Sequence, residues 1–186
     1  MNISFYEALL PPIGPYCALA ITSSEIVHQT FHPSVAELLT RTDSITKAGH
    51  HAYVAMASFK DSSSRKATNA NEIRCFFLDL DCGPNKDFDT QQGAYEQLVE
   101  IIERYKLPTP FIVDSGRGVH VYWMFAEAVP VAQWKQVAAA FKKICQQDGF
   151  PIDPNVPADS ARVMRVVGSR NIRTDPPSPV VIVAEG

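Results

Sequence analysis

The run from Cys75 to Gly83, CFFLDLDCG, closes an apolar stretch on two aspartates, Asp79 and Asp81, separated by one leucine. On an extended chain alternate side chains share a face, so the two carboxylates project together, roughly 6 to 7 Å apart, while Leu78 and Leu80 take the other side. Two such carboxylates repel each other and hold their protons unless a cation lies between them. Hard oxygen donors suit Mg²⁺ or Mn²⁺, which is usually held by one or two carboxylates together with substrate phosphate oxygens. The stretch therefore reads as the floor of a phosphoryl-transfer site. A strand that simply ends in water-facing aspartates fits the same residues, so the pair needs further groups to support it.

Two later segments supply them. Ser115 to His120, SGRGVH, is a glycine-containing turn between two apolar strands. Ser115, Gly116 and Gly118 allow backbone N–H groups to approach and cradle an anion, and Arg117 can clamp it. His120, emerging from the turn, can donate to a phosphate oxygen or protonate a leaving pyrophosphate, and is expected to gain proton affinity beside that charge. The segment from Asp159 to Arg173 carries Arg162, Arg165, Arg170, Asn171 and Arg173. Arg162 and Arg165 share a face on a helical turn and oppose each other on a strand. One of them, Arg165 in preference, should reach phosphate with its fork of donors, and Asn171 is placed to read a sugar or base edge. Each segment also has a plain structural reading: glycines for the turn alone, a locally satisfied histidine, a solvated arginine face.

Taken in this order, the D-x-D strand, the S-G-x-G-x-H hairpin and the D-x-x-R-x-x-R-x-x-G-S-x-N-x-R segment resemble the archaeo-eukaryotic primase superfamily, above all the primase-polymerase domains of phage, plasmid and mobile-element replication proteins. The resemblance spans roughly residues 53–173. It implies a nucleotidyltransferase that makes and extends primers from ribo- or deoxyribonucleoside triphosphates (NTP or dNTP) on a single-stranded DNA template, with a helicase domain or replication partner as expected company. It also implies a sheet resembling the RNA-recognition motif. By matching position, Asp79 and Asp81 would be first-motif metal ligands, Asp159 the third-motif ligand, and His120 a contact to the triphosphate. Val167 stands where the family usually has proline, and Arg173 where it has lysine or histidine. In such chemistry a 3′-hydroxyl attacks the α-phosphorus while two Mg²⁺ or Mn²⁺ ions assist attacker and leaving group.

Three rival readings fit parts of the pattern. A haloacid-dehalogenase-like phosphatase also ends a strand in D-L-D, but wants it near the amino terminus and a late acidic pair. A metal-dependent glycosyltransferase leaves the Ser115 hairpin unexplained. A catalytically silent relative would bind single strands or serve as a replication initiator. If Asp79 and Asp81 repel, alanine at either should leave the melting temperature equal or higher.

The remaining chain must position these groups. With 186 residues, 46% of them hydrophobic, it can bury a substantial core, and residues 1–186 read as one catalytic domain cut from a longer protein. A net charge of −3 excludes a broadly basic nucleic-acid coat, so a polynucleotide would be held by local patches and metal. Cys17, Cys75, Cys82 and Cys145 form no C-x-x-C pair and read as buried, reduced thiols. With no secretory leader or membrane-length apolar run, a cytoplasmic location is expected.

The patterning predicts helices over 3–10, from a Ser34 cap through 39, after a cap at Asp89 or Thr90, and over 131–147. It predicts strands over 16–22, 50–59, 75–81, 111–113, 119–125 and 180–183, with residues 60–71 as a polar loop. His50 and His51 are read as surface residues on opposite faces. Tyr95, Leu98, Ile102 and Tyr105 are read as the core stripe of one helix. Trp134, Val137, Ala138, Phe141 and Cys145 are read as that of another. The fold class expected is α/β (α+β), a mixed, mostly antiparallel sheet with flanking helices.

Overall fold

A computed structural model describes residues 2–22, 24–152 and 156–186. In chain order the elements are α1 (Ile3–Leu9), β1 (Tyr16–Ile21), β2 (Val27–His32), α2 (Val35–Lys47), β3 (His51–Ala55), β4 (Ala57–Phe59), β5 (Ala70–Asp81), α3 (Gln91–Tyr105), β6 (Phe111–Asp114), β7 (Gly118–Pro130), α4 (Val131–Gln147), β8 (Val163–Arg165), β9 (Arg170–Asn171), β10 (Ser178–Pro179) and β11 (Val181–Ala184).

β5 is the axis of the fold. It carries the D-x-D pair at its end and lies between β7 and β4 in a five-stranded sheet of order β11-β6-β7-β5-β4. Its two faces feed two cores, as a period of two requires. Cys75 and Phe77 join the larger core with Trp134 and Tyr122; Leu78 and Leu80 join a second core with Leu98, Ile101 and Val121. Trp134 on α4 stacks on Phe77 with ring centroids 5.7 Å apart, and its indole N–H donates to the Cys75 carbonyl at 2.9 Å. The succession β5-α3-β6-β7-α4, with β6, β7 and β5 adjacent, is the β-α-β-β-α order of an RNA-recognition-motif-like unit.

A second sheet, of order β2-β1-β3-β8, is built from the amino-terminal strands and closed by β8. Every ladder pair among the described residues is antiparallel, and the parallel pairing is an isolated bridge between Cys82 and Phe88. The antiparallel pairing with flanking helices anticipated from the sequence is therefore present, among the described residues as two larger sheets and a two-stranded ribbon of β9 and β10 rather than as one sheet. The 50–59 segment divides between them. The break falls at Met56, whose N–H leaves the ladder to donate to the Arg162 carbonyl at 3.0 Å. That bond fastens the arginine segment beside the crossover.

Other differences from the sequence reading have local causes. Ser34 does cap α2, accepting from the Glu37 N–H, but with no breaker before Gly49 the helix runs on to Lys47. β2 was not anticipated, because VHQTFH lacks an alternating apolar pattern; it is an edge strand, and edges need not bury a face. The stripe on α3 is shifted: Ala94, Leu98 and Ile101 are buried, whereas Tyr95 and Tyr105 are 41% and 39% exposed. Tyr105 instead donates its hydroxyl to Asp148, the residue that caps the carboxyl end of α4, at 2.7 Å. Val137 likewise faces solvent. All four cysteines are buried and unpaired. No helix among the described residues is long and apolar enough to cross a membrane.

Candidate nucleotide-transfer site

The register brings the sequence motifs together. Asp79 on β5 lies directly opposite His120 on β7, and Asp81 opposite Gly118. On the other side of β7, Val113 pairs with His120, so the Ser115–Gly118 turn closes the β6–β7 hairpin beside the two aspartates. The carboxyl end of β5, this turn and the β8–β9 region line a cleft of about 300 Å³. It contains Asp79, Asp81, Ser115, Arg117, His120, Arg162, Arg165 and Asn171 from the sequence reading. It also contains Ile21, Tyr53, Cys82, Lys86, Val163 and Arg173, which that reading had not assigned to the site.

Electrostatics dominate the cleft. Lys86, Arg117, Arg162, Arg165 and Arg173 stand against Asp79 and Asp81, an excess of three positive charges in a chain whose net charge is −3. The carboxylates are already engaged: Arg162 Nη2 donates to Asp79 Oδ2 at 2.5 Å and Lys86 Nζ to Asp81 Oδ2 at 2.9 Å. The repulsion expected between the aspartates is therefore offset by internal cations. Asp79 is the more enclosed, its side chain 19% exposed against 57% for Asp81.

His120 is buried, and its Nε2 lies 3.7 Å from Asp79 Oδ1, too long for a hydrogen bond. The Tyr122 hydroxyl sits 3.2 Å from His120 Nδ1. A ring whose Nε2 faces a carboxylate is best served by carrying its proton there, leaving Nδ1 to accept from the tyrosine. Without a phosphate beside it, the His120 pKa is lowered in this cleft. Burial is the main cause; the nearby Asp79 opposes it, and Arg165 and Arg162 add to it. The Cys82 thiol is pushed up to about 11 by burial and then by Asp81, Asp114 and Asp79, so it is protonated near neutrality and is no nucleophile.

The glycine turn is held from behind. Asp114 Oδ1 accepts from the Gly116 N–H at 2.6 Å and from Gln91 Nε2 at 2.7 Å. Asn171 Nδ2 donates to the Ser115 carbonyl at 2.9 Å. Asn171 is buried at the cleft wall, and its amide nitrogen supports the turn. Gly116 and Gly118 do not line the cleft but shape it. Gly116 has φ +86°, and a β-carbon on Gly118 would lie 2.4 Å from the Leu80 carbonyl oxygen.

Arg165 is fixed by two partners: Nη1 donates to His51 Nδ1 at 2.8 Å, Nη2 to the Tyr53 hydroxyl at 2.9 Å, and its guanidinium lies 4.8 Å from the Tyr53 ring centroid. His51 is thus buried and structural, not a surface residue. Because arginine can only donate, His51 must keep a lone pair at Nδ1 and stay neutral. Burial first, then the charges of Arg165 and Arg173, hold its pKa down to about 4. That value lies below the roughly 6.5 of an unfolded histidine, so the unfolded chain takes up the proton first as pH falls. The stability that His51 contributes is complete above about pH 6.5 and is lost between there and about pH 4. Melting curves should show the unaltered protein losing stability across that window more steeply than His51→Gln; parallel losses would count against the bond.

Asp159, expected as a third metal ligand, does not line the cleft. Its Oδ1 accepts from the Ala161 N–H at 2.8 Å, and its carbonyl from the Arg162 N–H at 3.1 Å, so the residue closes a turn of its own. Among the described residues no group of three His, Cys, Asp or Glu side chains is gathered closely enough to hold a metal. Asp79 and Asp81 nevertheless fit a hard divalent ion. Their oxygens face an open polar cleft, and the cations now on them are side chains that an ion of higher charge can displace. What they offer is two carboxylates, with the remaining oxygens to come from substrate.

Neither a family model nor a curated protein matches this sequence. Solved structures do match in shape. The AEP domain of the primase-polymerase (PrimPol) of cyanophage S-2L superposes with a TM-score of 0.68 at 21% identity, covering 99% of this chain and 89% of that one. The catalytic domain of primase Repb′, solved in complex with initiator DNA, gives 0.62 at 14% identity over 97% of this chain and 80% of that one. The polymerase domain of Mycobacterium tuberculosis Ligase D, solved in complex with DNA, gives 0.55 at 14% identity over 91% and 74%.

Proposed function

Starting from a chain that has the archaeo-eukaryotic primase fold, we propose that this protein is a DNA primase-polymerase that transfers nucleotides from NTP or dNTP to a growing 3′-hydroxyl on a single-stranded DNA template. The observation that carries the reading is the cleft itself: paired carboxylates on β5 facing a glycine turn and a surplus of cationic side chains. A triphosphate carries about four negative charges, and an excess of three positive ones suits it far better than a neutral sugar.

In this reading Asp79 and Asp81 would hold Mg²⁺ or Mn²⁺, one ion or two, with phosphate oxygens completing the shells. A bound ion would neutralise charge building at the α-phosphorus and favour the ionised attacker. The protein's own groups do the rest. Arg117, on the Ser115–Gly118 turn, holds the phosphate tail with its guanidinium; the Ser115 and Gly116 N–H groups, expected to cradle the anion, are instead spent on the Gly118 carbonyl and Asp114 Oδ1, and Asn171 keeps the turn in shape. Arg165, fixed by His51 and Tyr53, presents a guanidinium that needs no rearrangement. His120, with its proton on Nε2, donates to a phosphate oxygen. Arg162 leaves Asp79 for the substrate when a cation takes its place.

A second reading is favoured by one observation, that Asp159 is absent from the cleft lining and Arg162 occupies Asp79 instead. This is the catalytically silent module that binds single strands. Incubation with single-stranded DNA, labelled nucleotides and Mn²⁺ or Mg²⁺ separates the two: ladders of product that vanish with chelator support the primase-polymerase, and DNA retention without product supports the silent module.

A further inference from the structure

We propose that Lys86 is a further phosphate-binding residue of this cleft, an ammonium that exchanges Asp81 for the terminal phosphate of a nucleoside triphosphate; the proposal rests on the nucleotidyl-transfer reading above. Lys86 lies on the connection between β5 and α3, five residues past Asp81. Its Nζ donates to Asp81 Oδ2 at 2.9 Å, and its side chain is 42% exposed.

The connection is built against the phosphate turn. The Cys82 N–H donates to the Arg117 carbonyl at 3.0 Å, the Gly83 N–H to the Phe88 carbonyl at 2.8 Å, and the Lys86 N–H back to the Gly83 carbonyl at 3.0 Å. Arg117 Nη2 lies 4.0 Å from where a β-carbon on Gly83 would stand. Lys86 and Arg117 thus enter one cleft from adjoining loops, Lys86 with its ammonium on Asp81.

Were a divalent cation held by Asp81, it would draw the carboxylate's charge to itself and repel the ammonium at Oδ2, weakening the hold on Lys86. An ammonium has three donors and no acceptor, so it must find another anion. The phosphate tail that arrives with the metal supplies it on the side where Arg117 already lines the wall. Lysine suits the exchange, being a compact charge on a flexible stem. Arg162, the cation on Asp79, has the more enclosed side chain, 27% exposed against 42% for Lys86.

The test is calorimetric binding of dATP and dADP in Mn²⁺, with Mn²⁺ binding to the nucleotide-free protein followed by electron paramagnetic resonance. For Lys86→Met, dATP affinity should fall about tenfold. Affinity for dADP should change by less than about twofold, and Mn²⁺ alone should bind at least as tightly as before. Lys86→Arg should recover most of the dATP affinity, and both variants should melt with the unaltered protein. Equal dATP affinity in Lys86→Met, or equal losses of dATP and dADP, overturns the role of Lys86 and leaves the cleft reading standing. Failure of the unaltered protein to bind dATP with Mn²⁺ overturns both.

Discussion

Asp79→Asn should reduce nucleotide transfer by about 10³-fold or more, equivalent to about 4 kcal/mol at the transition state, and Asp81→Asn should do nearly as much. Neither change adds bulk, and each removes one of the paired charges to which a divalent ion would bind. The two should differ in stability. Asp79 is largely enclosed and paired with Arg162, so its loss leaves a half-buried guanidinium without a counter-charge and should cost about 1–2 kcal/mol. Asp81 and Lys86 are both open to water, and breaking that pair should cost about 0–1 kcal/mol. The sequence alone suggested that alanine at either position would leave the melting temperature equal or higher. That expectation assumed two unpartnered carboxylates; Arg162 lies 83 residues from Asp79 in the chain, and Lys86, though only five residues past Asp81, sits in a loop with no periodicity to aim it. Primer extension together with thermal melting checks both halves; an Asp79→Asn protein that extends primers at more than a tenth of the normal rate would remove the aspartates from the chemistry.

Gly118→Ala should be the most damaging single-methyl change near the site. The added carbon would stand 2.4 Å from the Leu80 carbonyl oxygen and 3.3 Å from Asp81 Cα. Both contacts are backbone atoms of a central strand, so relief requires β5 and β7 to move apart just where Asp81 faces Gly118. A loss of about 3 kcal/mol or more is expected, with activity lost even where the fold survives. Gly149→Ala is the matched comparison. Gly149 has φ +68° with nothing within 4 Å of its would-be β-carbon, so only the left-handed backbone is penalised, by about 1 kcal/mol. Urea midpoints at unchanged slope measure the difference. A Gly118→Ala protein no less stable than Gly149→Ala would mean that the strands are not packed as closely as described.

Much of the site was legible in the sequence because two of its rules are local. A period of two put Asp79 and Asp81 on one face and Leu78 and Leu80 on the other, and the same rule put His120 and Tyr122 together. The glycine turn announced itself by composition, and the resemblance drawn from the three motifs is borne out at the level of fold. What was missed depends on partners remote in sequence or on backbone detail. Lys86 sits in a loop with no periodicity, and Tyr53 on a strand that passes unmarked until Arg165 is laid against it. Asn171 offered a side chain equally suited to a base edge or a carbonyl, and its bond to the Ser115 carbonyl emerges only from the packing behind the turn. The α3 stripe was out of phase because tyrosine can cover a helix surface with its ring while its hydroxyl reaches outward. Asp159 accepts from the Ala161 N–H with one carboxylate oxygen within its own turn, a local option that aspartate shares with asparagine and serine.

The central claim is that Asp79 and Asp81 receive a divalent ion together with a triphosphate whose tail lies along Ser115–Gly118. Crystals grown with Mn²⁺ and a non-hydrolysable dNTP, read by anomalous scattering, test it directly. The account predicts a manganese peak shared by the two carboxylates and the phosphates, with Arg162 and Lys86 turned from the aspartates onto phosphate oxygens. An ion bound elsewhere, or aspartates still paired with Arg162 and Lys86 beneath a bound nucleotide, would contradict it.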